Sequence, residues 1–309
     1  MSLNILFAAR ADRWPLWRAP LQAALTAEGL AADLSPDHPP ETADYIVYAP
    51  GGPLTDFTPC TRAKAVLCLW AGVESIVTNP TLTQPLARMV DPGLTQGMVE
   101  YVTGHVLRHH LGMDAHILRQ AGWRQVAPPL ASERSVTLLG LGALGQACAR
   151  ALTALGFPVT GWSRTAHDVP GLTCLHGDAG LARALSTAQI LVTLLPLTPD
   201  TENLLDARRL ALLPRGATLI NPGRGGLIDD TALLAALDTG QVGHATLDVF
   251  RIEPLPPDHP YWSHPRVTVT PHIAADTRPE TASRVIAANI RRSEAGQPLL
   301  HMVDRARGY

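Results

Sequence analysis

The stretch from Ser135 to Gly156 constrains the fold more than any other part of the chain. A β-rich apolar run, Ser135–Leu139, leads straight into Gly140-Leu141-Gly142-Ala143-Leu144-Gly145. Out of it comes a segment with apolar residues at Leu144, Ala147, Cys148, Ala151, Leu152 and Leu155, the spacing of an amphipathic helix, with Gly156 placed to cap its end. A GxGxxG between a strand and a helix is the turn of a dinucleotide-binding βαβ unit. The glycines serve a tight turn, close approach of backbone to a pyrophosphate, and helix-to-strand packing. The N–H groups of Ala143 and Leu144, opening the helix, face the phosphates together with the positive end of the helix dipole.

The rest of the chain repeats the same alternation. Strands are predicted at Val159–Trp162, Ile190–Leu195, Ala217–Asn221, Ala245–Phe250 and Val267–Thr270, and helices near Leu181–Ser186, Asp206–Leu213 and Asp229–Leu237. The first 96 residues follow the habit more weakly, with strands near Asn4–Phe7, Tyr45–Tyr48 and Ala65–Leu69 and a helix near Trp17–Glu28. A Pro-rich gap, Ser35–Pro40, separates the first two strands; Gly97–His110 reads as a long helix. A last helix begins near Pro279, where Thr277-Arg-Pro-Glu280 has capping-box spacing. This order predicts an α/β protein of two doubly wound parallel-sheet domains. The expected division is 1–96 plus 276–309 for the substrate domain and 97–275 for the nucleotide domain.

Composition narrows the partners. The formal net charge is -2 over 309 residues, and no basic run offers a surface to nucleic acid or an anionic membrane. No apolar run approaches the roughly 18 residues of a membrane helix. The opening stretch Met1–Arg10 is too short and too quickly charged for a signal peptide. Cys60, Cys68, Cys148 and Cys174 form no CxxC pair or zinc-type cluster, so they read as buried thiols in a reducing compartment, and no metal is expected. The cytoplasm is the expected location.

An acidic residue about 20 positions past the glycine loop would hold the 2′-hydroxyl of NAD. Here that place reads Gly161-Trp162-Ser163-Arg164-Thr165. A carboxylate would repel a 2′-phosphate, whereas Ser163 can hydrogen-bond it and Arg164 can pair with it. NADP(H) is therefore the expected cofactor, with NAD(H) as the alternative.

Three polar sites follow successive strands: Asn221-Pro222-Gly223-Arg224-Gly-Gly, Asp248-Val-Phe-Arg-Ile-Glu253, and Thr270-Pro271-His272. Ligands of open α/β sheets sit beyond the carboxyl ends of the strands, so these groups should converge where the glycine loop lies. Their types suit carbonyl reduction. A protonated His272 supplies the proton, Glu253 beside it favours the imidazolium, and Arg224 clamps a substrate carboxylate and polarises its 2-oxo group. Cofactor contacts are also expected from Leu195, Pro196, Pro222, Gly223 and Asp248 at neighbouring strand ends.

These residues, with Glu253-Pro-Leu-Pro-Pro257, Thr270–Pro279 and the C-terminal Val303–Tyr309, resemble the D-isomer-specific 2-hydroxyacid dehydrogenases over almost the whole length. Within that family the likeness is strongest to bacterial glyoxylate/hydroxypyruvate reductases. The resemblance implies an active site in the cleft between two α/β domains. It implies that Arg224, Glu253 and His272 are catalytic and that Ala71-Gly72-Val73 holds the substrate carboxylate through backbone N–H groups. It also implies a homodimer built around the nucleotide domain, involving the helix near Gly97–His110. The implied reaction is NADPH-dependent reduction of glyoxylate to glycolate and hydroxypyruvate to D-glycerate. A dehydrogenase for another D-2-hydroxy acid, phosphoglycerate included, and a non-catalytic dinucleotide sensor stay open; an end at residue 309 leaves little room for an appended regulatory domain. Two departures bear on substrate preference: Pro222 ahead of the arginine, which lacks an N–H, and Glu74 where many relatives carry Asp.

Overall fold

The computed structural model describes residues 2–117, 122, 123 and 125–309; Met1, at the head of the opening stretch, lies outside them. The chain divides into two compact units, Met1–Leu94 with Asp276–Tyr309, and Thr95–Ala275.

In the first unit, β1 (Leu3–Ala8), α1 (Trp14–Ala27), β2 (Ala32–Ser35), β3 (Tyr45–Tyr48), β4 (Ala65–Cys68), α2 (Glu74–Val77) and β5 (Leu86–Ala87) follow in turn. The strands form a parallel sheet in the order β2-β1-β3-β4-β5. Side chains alternate between its faces: Ile5 and Phe7 join one core with Trp17, Leu21 and Leu25 of α1, while Leu6 and Ala8 join another with Val73, Ile76 and Val77. Both faces are covered at the centre of the sheet, which is why β3 and β4 read as continuous apolar runs.

The helix α3 (Pro92–His110) leads into the second unit, starting earlier than the periodicity suggests, at Pro92. There follow α4 (Met113–Ile117), β6 (Val136–Leu139), α5 (Ala143–Ala154), β7 (Val159–Ser163), β8 (Thr173–His176), α6 (Gly177–Ser186), β9 (Ile190–Thr193), α7 (Ala207–Leu210), β10 (Ala217–Asn221), α8 (Asp230–Asp238), β11 (Val242–Leu247) and β12 (Val267–Val269). The seven strands are parallel in the order β12-β11-β10-β9-β6-β7-β8. The order reverses between β6 and β9, making that point the place for a ligand. Val136, Leu138, Ile190 and Val192 pack on α3 and α5; Leu139, Leu191 and Leu219 pack against α6, α7 and α8.

Finally α9 (Pro279–Glu294) returns to the first unit, where Ala282, Ile286 and Ile290 pack into the α1 core. The capping-box expectation fails here. Thr277 is buried ahead of the helix, the N-cap is Arg278, and no side chain caps it. Among the described residues no helix is long and apolar enough to cross a membrane.

Candidate active site

Strand register brings the site to one edge. Asn221 at the end of β10 pairs with Leu247 at the end of β11, and Leu247 pairs with Val269 at the end of β12. Backbone bonds carry the alignment past the strands, with Asp248 N–H donating to Asn221 O at 3.1 Å and Thr270 N–H to Leu247 O at 2.9 Å. The three loops bearing Arg224, Glu253 and His272 therefore leave the sheet side by side. Together these residues line one cavity of about 400 Å3 with Leu197, Glu202, Gly225, Gly226, Val249, Phe250 and Arg251. An adjoining apolar hollow of about 390 Å3 shares Phe250, Glu253 and His272 and adds Leu255, Trp262, Val269 and Pro271.

Each of these three side chains is held by its loop. His272 has φ +54°, an uncommon conformation for a residue with a Cβ. Its N–H donates to Asp248 O at 2.8 Å, and the next two backbone N–H groups, of Ile273 and Ala274, donate to the two carboxylate oxygens of Asp248 at 2.9 Å each. The ring Nδ1 meets Glu253 Oε2 at 2.6 Å, and Glu253 Oε1 accepts from Phe250 N–H at 2.8 Å. Glu253 thus spans its own loop and fixes which nitrogen of His272 it engages.

Arg224 opens the one-turn helix Gly225–Leu227. Buried Asn221 shapes the turn before it: Oδ1 accepts from Thr193 Oγ1 at 2.5 Å and Gly223 N–H at 3.1 Å, and Nδ2 donates to Arg224 O at 3.0 Å. Gly225 is required because a Cβ would lie 2.0 Å from Phe250 C. Arg251, which the sequence reading did not single out, donates to Ile228 O at 2.6 Å and bonds Asn203, with Glu202 and Asp230 within 3.6 Å. It ties the Arg224 loop to the Glu253 loop.

The glycine loop has the geometry its motif requires. Gly140 takes φ +110° and passes so close to β9 that a Cβ would sit 2.6 Å from Leu194 O; at Gly145 a Cβ would sit 1.9 Å from Gly140 O. Gly142 is different. It is exposed, has an ordinary φ, and has open space where a Cβ would go. It is the N-cap of α5 without a side-chain cap, so the first helical N–H groups, at exposed Ala143 and half-buried Leu144, point out of the helix unsatisfied by it. Leu195 and half-buried Pro196 follow β9 beside this loop, while Pro222 and Gly223 are buried.

At the end of β7, Ser163 Oγ donates to Thr165 O at 2.8 Å and lies 3.0 Å from His167 Nδ1; exposed Arg164 pairs with Asp200 at 3.3 Å. His167 and Asp200 escaped the sequence reading. Asp248 is 0% exposed, and its carboxylate accepts from Thr270, Ile273 and Ala274 on the His272 loop. In the first unit, Ala71 and Gly72 follow β4 half-buried, and buried Val73 begins α2. Among the described residues no group of His, Cys, Asp or Glu is arranged to hold a metal ion.

Comparison with known proteins bears directly on this arrangement. The profile of the D-isomer specific 2-hydroxyacid dehydrogenase NAD-binding domain matches residues 103–274, over half of the chain. The chain belongs to the D-isomer specific 2-hydroxyacid dehydrogenases. One dehydrogenase relative, glyoxylate/hydroxypyruvate reductase A of Yersinia enterocolitica, is 38% identical over 99% of this chain and 100% of its own. A D-isomer specific 2-hydroxyacid dehydrogenase from Xanthobacter autotrophicus Py2, solved in complex with NADPH and MES, is 40% identical over 100% of both chains with a TM-score of 0.93. An NADPH-dependent glyoxylate/hydroxypyruvate reductase from Sinorhizobium meliloti, solved with NADP and sulfate, is 34% identical over 100% of both chains with a TM-score of 0.88. As a member of this family the chain is an NAD(P)-dependent oxidoreductase.

Proposed function

We propose that this dehydrogenase reduces small 2-oxo acids, glyoxylate and hydroxypyruvate among them, with NADPH as reductant. The observation that carries the reading is the gathering of Arg224, Glu253 and His272 around one cavity, with His272 and Glu253 in direct contact. Relatives named for glyoxylate and hydroxypyruvate reduction, one of them as NADPH-dependent, support the substrate class.

The cofactor fits the residues present. The open face of Gly142 is a cradle that a Cβ would fill, with unsatisfied N–H groups for a pyrophosphate. Arg164 and His167, with Ser163 once its hydroxyl turns from Thr165 O, supply donors at the end of β7, where a 2′-phosphate would lie. Bound there, NADPH supplies hydride to the carbonyl carbon. The protein does the rest. Arg224 pairs with the substrate carboxylate, a fork-shaped donor set suited to it. His272, with Nδ1 on Glu253, keeps Nε2 as the proton donor to the oxygen that gains charge.

We also assign a homodimer. Exposed Ile117, Trp123, Val126 and Leu130, beyond α3, are apolar surface that a second copy would cover. Steady-state NADPH oxidation with glyoxylate, hydroxypyruvate and pyruvate tests the reading: turnover of the first two supports it, and no turnover of any 2-oxo acid refutes it.

A further inference from the structure

Helix α3 is fastened to the edge of the second sheet by a row of polar side chains. Arg108 donates to Thr268 Oγ1 at 3.0 Å, and His109 Nε2 lies 2.9 Å from Thr246 Oγ1. One contact in the row reaches the catalytic edge. Tyr101 Oη lies 2.7 Å from Thr270 Oγ1, and Thr270 Oγ1 donates to Asp248 Oδ1 at 2.6 Å. Thr270 has one hydroxyl proton, and the carboxylate of Asp248 takes it. The contact with Tyr101 must therefore have the phenol as donor. Burial raises the pKa of that phenol and keeps its proton in place. Asp248 spends its remaining capacity on the N–H groups of Ile273 and Ala274, the two residues after His272. A continuous chain of donors thus runs from α3 into the loop that bends at His272.

We propose that Tyr101 is a positioning residue for His272: its phenol, acting through Thr270 and the buried carboxylate of Asp248, locks the loop that presents the imidazole to Glu253. The inference rests on the reading of His272 as the proton donor. Tyr101 is not among the residues lining the cavity of Arg224, Glu253 and His272, and it lies 169 positions from Thr270 in the sequence. Linked hydrogen bonds of this kind polarise one another when buried, so loss of the first donor is felt at the last. The ring of His105, 4.4 Å from that of Tyr101, helps hold the phenol in its orientation.

The test uses the full chain with Tyr101→Phe, Thr270→Val and Thr270→Ser. Two readouts are taken: steady-state kinetics with NADPH and glyoxylate, and the 15N shifts of the His272 ring, assigned by comparison with His272→Asn. Y101F and T270V should lower kcat roughly 5–20-fold while leaving the KM for NADPH within about twofold. Both should also move the ring shifts of His272. T270S, which keeps the hydroxyl, should restore both. Wild-type kcat and unmoved His272 shifts in Y101F and T270V overturn the proposal, as does T270S behaving like T270V. If the parent chain turned over no 2-oxo acid, the functional reading would fall, and the ring shifts would still show whether Tyr101 governs the placement of His272.

Discussion

Glu253 holds His272 at 2.6 Å in a setting where the contact adds little to folding stability. The side chains are 53% exposed for His272 and 34% for Glu253. Ion pairs that meet water to this extent contribute little to stability, because solvent screens them and two side chains must be ordered. The backbone N–H of Phe250 nevertheless fixes the far carboxylate oxygen, and the loop holding the imidazole adopts a left-handed conformation to meet it. An arrangement this well specified with so little return in stability is the mark of a working site.

Replacing Glu253 by Gln keeps an acceptor for the ring and removes the charge that faces it. The expected result is a roughly 10–100-fold fall in kcat/KM, smaller than the roughly 100–10,000-fold of the acid–base group itself because Gln still orients the ring, with Tm nearly unchanged. A kcat/KM within twofold of the parent's argues against the pairing.

The glycine loop makes a paired prediction. Gly145→Ala puts a Cβ 1.9 Å from Gly140 O and should damage the fold, seen as a clear drop in Tm. Gly142→Ala meets no protein atom within 4 Å and should keep the parent Tm while weakening NADPH binding at least tenfold by fluorescence titration. Intact NADPH affinity in G142A would place the pyrophosphate elsewhere.

At the end of β7, Arg164→Gln should raise the KM for NADPH about 10–100-fold, the cost of one charge-assisted contact to phosphate, and leave that for NADH within twofold. Asp200→Ala removes the carboxylate 3.3 Å from Arg164 and should favour NADPH slightly. Equal effects of R164Q on both cofactors would contradict the assignment.

What the sequence reveals and conceals follows from range. Buried strands such as β6, β9 and β10 announce themselves because apolar residues line both faces. The edge strand β8, with the pattern Thr-Cys-Leu-His and no fully buried residue, does not, nor does the two-residue β5. Arg224, Glu253 and His272 are legible because each follows a strand and strand ends share an edge. The supports beneath them are not: Thr193 with Asn221, Arg251 with Asn203, and Tyr101 with Thr270 join residues 28, 48 and 169 positions apart. Thr277 misleads because capping-box spacing is local, whereas tertiary burial took that threonine out of the cap.

The same polar row on α3 predicts acid sensitivity. Burial, then the neighbouring His244, pushes His109 down to about 3, and burial, then Arg108, pushes His244 down to about 4. The unfolded chain binds these protons near pH 6.5, so stability is full above that pH and is lost as pH falls toward the folded values. Between pH 7 and pH 5 the loss should be about 2 kcal/mol for each ring, read by urea denaturation. His244→Gln should flatten the dependence, and a flat profile in the parent would show that these rings are already charged or exposed.

The central claim is that His272 gives the proton. Single-turnover reduction of glyoxylate by the NADPH-loaded enzyme, compared between the parent and His272→Asn, tests it most directly. The account predicts a rate at least 100-fold lower in the variant with NADPH affinity unchanged. A variant that reduces glyoxylate at nearly the parent rate contradicts it.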